Sequence, residues 1–156
     1  MKLLFKQRLF SWFDSYDIYD ERGAKVFTVK GQLSWGHCLK IFDVYGCEIG
    51  TVQQRLLTFL PKFEMYLGRE YAGCIQKEFS FFIPRYHIDY KGWQVEGNFF
   101  EWDYTIRDGR NQQVATVSKA IFNLTDTYVI DVADPQDALA ALMLVLAIDA
   151  EKCSRR

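Results

Sequence analysis

Two hydrophobic rhythms divide the chain. Between Tyr16 and residue 122, apolar residues alternate with polar ones in short bursts, whereas Ala138 to Ile148 contains no polar residue at all. Alternation is the period of a half-buried strand, and a longer unbroken apolar run reads as a buried helix. The bursts repeat. YDIYDERGAKVFTV (16–29), LKIFDVYGCEIGTV (39–52) and YTIRDGRNQQVATV (104–117) share one template, and FEMYLGREYAGCI (63–75) and YHIDYKGWQVEG (86–97) are degenerate copies. Their anchors Ile18, Ile41, Met65, Ile88 and Ile106 recur at intervals of 23, 24, 23 and 18 positions, the mark of an internal repeat.

Each template predicts a β-hairpin. An aromatic or leucine and an isoleucine open the first strand. Asp20-x-x-Gly23, Asp43-x-x-Gly46 or Asp108-x-x-Asn111 then makes the turn. The aspartate accepts local backbone hydrogen bonds, and Gly or Asn tolerates the left-handed backbone of a short hairpin loop. Such aspartates resemble Ca²⁺ ligands, but no distal glutamate completes an EF-hand loop. Hairpins are expected over 16–33, 39–57, 63–81, 86–100 and 104–122. Leu3 to Phe13 and Thr127 to Val132 supply two more strands. About twelve antiparallel strands in one domain spanning 1–156 leave no exposed edges if they close into a barrel.

A barrel of that size is too wide for its own side chains to fill, because about eight strands already fill an interior. The apolar segment is the natural plug. Asp134 caps its first turn, Pro135 suits the first helical position, and the helix is expected over 135–152, about 15 helical residues making a rod about 22 Å long. Leu139, Leu142, Leu144 and Leu146 are its expected structural residues. Asp149, Glu151 and Lys152 end the apolar run with charge. The fold expected is mainly β: a closed antiparallel barrel around a central hydrophobic C-terminal helix.

Composition narrows the chemistry. The net charge of −1 gives no basic field for nucleic acid. Eleven apolar residues fall short of the roughly 17–25 of a membrane-spanning helix, and the N-terminus, broken by Lys6, Gln7 and Arg8, does not read as a secretory signal. Four scattered cysteines and two histidines offer no zinc spacing, and reduced thiols suit a cytoplasmic protein. No metal or cofactor is expected. His37 and Cys38 are neighbours, but adjacent strand residues point to opposite faces. His87 reads as solvent-facing, and Glu96, Glu101 and Asp103 as charge on the wet side of strands. No residue is assigned a catalytic role. The single basic-aromatic stretch is N-terminal: Lys2, Lys6 and Arg8 with Phe10, Trp12 and Phe13. Lys2, Lys6, Arg8 and Trp12 are therefore candidates for contact with an anionic lipid surface.

The opening LLFKQRLFSWFDSYDIYDERG, the hairpin repeats and the closing DTYVIDVADPQDALAALMLVLAID together resemble the YxjI-like bacterial members of the LURP-one-related family, within the tubby C-terminal-domain-like superfamily. The terminal block of strand, D-P-x-D and apolar helix is the most specific part. The resemblance implies a twelve-stranded barrel around a hydrophobic helix. It also implies relatives that bind phosphoinositides and relatives associated with membrane lipids, with no established activity for the LURP-one-related type itself. The expected function is a non-enzymatic binding or adaptor module at an anionic phospholipid surface or on a protein partner, cytoplasmic and peripheral at the membrane. The alternative is a small-molecule carrier or enzyme with a pocket at a barrel mouth.

Overall fold

A computed structural model describes residues 1–6, 15–32, 34–99, 101–122 and 125–153. Twelve strands form one antiparallel sheet: β1 (Lys2–Lys6), β2 (Ser15–Tyr19), β3 (Lys25–Gln32), β4 (Cys38–Phe42), β5 (Glu48–Arg55), β6 (Lys62–Leu67), β7 (Glu70–Glu78), β8 (Arg85–Asp89), β9 (Gln94–Asn98), β10 (Asp103–Arg107), β11 (Gln113–Phe122) and β12 (Thr125–Val132). The expected opening strand is β1, and most of Leu3 to Phe13 lies outside the described residues. Strands adjacent in sequence pair with each other except β8 and β9, and β1 pairs with β12. Hydrogen bonding thus runs unbroken around the sheet from β8 back to β9, and the barrel is nearly closed.

The tight turns follow the expected local chemistry. Asp20 Oδ1 accepts from the backbone N–H of Arg22 at 2.9 Å and of Ala24 at 2.8 Å. Asp43 and Asp108 do the same for residues two and four further on. Gly46 has φ 81° and Asn111 φ 63°, the left-handed geometry such turns require. The ladder shifts register beside all three turns, between Ile18 and Tyr19, Ile41 and Phe42, and Ile106 and Arg107.

A single turn of 3₁₀ helix (Pro135–Asp137), capped by Asp134 accepting from Gln136 N–H at 3.0 Å, leads into α1 (Ala138–Cys153). The helix threads the barrel. Leu142, Leu144 and Leu146 are fully buried, and Leu139, near the entrance, is partly buried. They meet inward-facing Ile18, Ile41, Met65, Ile106 and Ile130 in one continuous core. Gly50 of β5 lets wall and helix approach closely: a Cβ there would lie 3.2 Å from Met143 Sδ and 3.3 Å from Leu139 Cδ1.

Candidate functional site

Antiparallel connectivity sorts the connections onto two rims. Tight turns after β2, β4, β6, β8 and β10 lie with the helix entrance on one rim. The loops after β3, β5, β7 and β9 lie with the helix C-terminus on the other. The rims differ chemically. On the loop rim Trp35, Leu56, Leu57, Phe59, Phe79, Phe81, Phe82 and Ile83 are exposed, Phe82 at 93% and Leu57 completely. On the turn rim the exposed large apolar side chains are Val44 and three tyrosines, Tyr19, Tyr45 and Tyr71. Its surface carries charge of both signs, with Asp20, Glu21, Asp43, Asp108 and Asp134 beside Lys2, Arg22, Arg69, Lys91 and Arg110 among the described residues.

Stability does not account for the loop rim. An exposed phenylalanine contributes little to a core. Leu57 moreover has φ 61°, a left-handed conformation that is costly for a bulky side chain. The loops are nonetheless ordered locally. The β3–β4 loop rests on β5 through Gln54 N–H donating to His37 C=O at 2.7 Å and His37 N–H donating to Gln54 Oε1 at 3.0 Å. In the β7–β8 loop Phe79 and Phe81 pack edge to face at 5.0 Å, and Ser80 Oγ donates to Ile83 C=O.

The structure separates the basic candidates. Lys2 begins β1 on the turn rim, 3.9 Å from Asp131. Lys6 ends β1 on the loop rim. Arg8 and Trp12 lie outside the described residues. Arg55, Lys62 and Arg85, which sequence reasoning did not select, flank the apolar loops at strand ends. The other candidates remain apart: Cys38 is buried, which raises its thiol pKa and disfavours the thiolate. His87 is exposed, and Glu96 lies 3.7 Å from Arg107. Among the described residues no three acidic, histidine or cysteine side chains gather to hold a metal.

Beneath the loop rim, the charges that end the helix are buried. Glu151, only 3% exposed, accepts from Lys77 Nζ of β7 at 3.0 Å and from Tyr86 Oη of β8 at 2.8 Å. Burial pushes its carboxyl above the usual range against the lowering effects of Tyr86 and Lys152. Burial and Glu151 together push the Tyr86 phenol far up. Fully buried Tyr104, whose hydroxyl has no hydrogen-bond partner among the described residues, is pushed up by burial and by nearby Asp149. Lys152 turns the other way, donating to Phe99 C=O and lying 4.3 Å from the Trp102 ring centre. The last helical turn therefore ties β7 and β8 on one side and the β9–β10 loop on the other.

Between these attachments the expected 86–100 hairpin is not a hairpin. Lys91 and Gly92, both with positive φ, make a tight turn in which Trp93 N–H donates to Tyr90 C=O at 2.9 Å. Beyond it β8 and β9 form no ladder. Rings fill the seam instead: Tyr90 against Trp93 at 4.8 Å and Tyr86 against Phe99 at 5.1 Å. The helix end and these rings hold the strands apart, leaving a groove of about 810 Å³ along the wall.

The sequence model of the LURP-one-related family matches residues 1–149. The chain belongs to the LURP-one-related family. Within it, the chain is 27% identical over 150 residues to the uncharacterized protein YxjI of Bacillus subtilis (strain 168), covering 96% of this chain and 92% of that protein. No solved structure matches significantly. No catalytic activity is known for the family. Among the described residues of this family member no helix is long and apolar enough to cross a membrane, which leaves strands unaddressed.

Proposed function

We propose that this LURP-one-related protein is a non-enzymatic binding module that docks its loop rim onto anionic phospholipid surfaces. One observation carries the reading: exposed Trp35, Leu57, Phe59, Phe81 and Phe82 share a single rim, while the opposite rim is charged. Each large apolar side chain moved from water into the acyl boundary contributes about 1.5–3 kcal/mol. Each Lys or Arg near an anionic surface contributes about 1 kcal/mol. Lys6, Arg8 and Trp12 are proposed to act at this face with Arg55, Lys62 and Arg85. Lys2, on the far rim beside Asp131, is left out. A cytoplasmic protein held peripherally at the membrane fits this mode of contact.

Flotation with neutral and phosphatidylserine-containing vesicles, at low and high salt, tests the proposal. Binding is expected to anionic vesicles, to weaken with salt, and to fall about tenfold or more when Phe81 and Phe82 both become Ser. Lys6→Ala/Arg8→Ala should weaken binding at low salt and flatten its salt dependence, whereas Lys2→Ala should change neither. Failure to float with any vesicle would refute the lipid role.

A further inference from the structure

Independently of the lipid face, the seam between β8 and β9 has the form of a strand receptor. β8 is paired only to β7, and β9 only to β10. Backbone N–H and C=O groups on the inner edge of each strand consequently face the groove. Its floor is apolar, made by the rings of Tyr86 and Phe99 with Ile88 and Val95. The Lys91–Gly92 turn closes one end, and Ile83 of the β7–β8 loop lines the other.

The combination of polar walls and apolar floor discriminates between occupants. A hydrocarbon chain would satisfy the floor but leave the wall amides desolvated and unpaired, which is unfavourable for each group. An extended peptide satisfies both. Its main chain pairs with an open edge, and its alternate side chains descend onto the floor. Five residues in each of β8 and β9 present edges about 17 Å long, enough for one short strand. We infer that the seam binds an extended segment of a partner protein, apolar at every second position, as an additional strand. Arg85 and His87 on one bank and Glu96 on the other favour polar residues of either sign at its outward positions.

The test uses the full chain and a displayed library of octapeptides with Val, Ile, Leu or Phe at alternate positions. Enriched peptides are resynthesised and added to the protein, and amide hydrogen exchange is read by NMR. The expected result is slowed exchange confined to β8 and β9. Affinity should fall about tenfold or more when alternate peptide amides are N-methylated, which removes main-chain donors and leaves side chains intact. Val95→Trp, which fills the floor, should abolish binding while the thermal midpoint stays within a few degrees. A library yielding no binder that maps to β8 and β9, or binders indifferent to N-methylation, would overturn the inference. Concentration-dependent protection of the same amides without peptide would assign the seam to a second copy and overturn the partner assignment.

Discussion

Glu151 sits between Lys77 and Tyr86 with almost no water, so its partners cannot be replaced by solvent. Lys77→Met should cost about 3–5 kcal/mol, the range for leaving a buried charge without its counter-ion. Lys77→Met combined with Glu151→Leu should recover most of that loss, because removing both charges removes the desolvation as well. Urea denaturation of the two variants beside the parent protein measures both. A single mutant within about 1 kcal/mol of the parent would show that the pair carries little. His37 makes a second prediction, about pH. Burial lowers its pKa from 6.5, so the unfolded chain takes up a proton at a pH where the folded one does not. Stability therefore rises with pH through the window ending at 6.5 and falls as acid is added. The stability difference between pH 7.5 and 5.5 should shrink in His37→Gln, as chemical denaturation at the two pH values would reveal.

At the scale of elements, the helix can be graded along its length. Leu142 is fully buried while Leu139 at the entrance is not. Leu142→Ala should cost about 2–5 kcal/mol and Leu139→Ala distinctly less, and Leu142→Asp should abolish folding by placing an unpaired charge on the barrel axis. Equal costs at Leu139 and Leu142 in thermal melts would contradict the threaded helix. Such gradients show why legibility varied. The Asp43 turn was readable because its hydrogen bonds reach only two and four residues ahead. The helix was readable because eleven apolar residues have few other destinations. The burial of Glu151 was not: a charge after an apolar run reads as its exposed end, and Lys77 lies 74 positions away. The open seam was hidden for the same reason, since the 86–97 repeat looks like its siblings until Glu151 and Lys152 pull on opposite banks.

For the whole molecule, the proposed membrane contact implies an orientation as well as an affinity. LLTFLP and FSFFIP are visible in the sequence, but only the meander brings them to the same rim as Trp35. If that rim meets the bilayer, the barrel axis stands away from the membrane and the charged turn rim faces water, beyond a Debye length of about 8 Å from the anionic surface. Tryptophans then report orientation directly. Trp35 is 89% exposed on the loop rim, whereas Trp93 and Trp102 are buried. Brominated acyl chains in anionic vesicles should therefore quench a fraction of the fluorescence that Trp35→Phe and Trp12→Phe remove between them. Trp93→Phe should leave that fraction intact. Quenching retained in the Trp35→Phe/Trp12→Phe variant would mean that buried tryptophans reach the acyl chains, which requires the barrel to open. Vesicle binding without any quenching would place the contact at headgroup level, held by charge rather than by the phenylalanine loops.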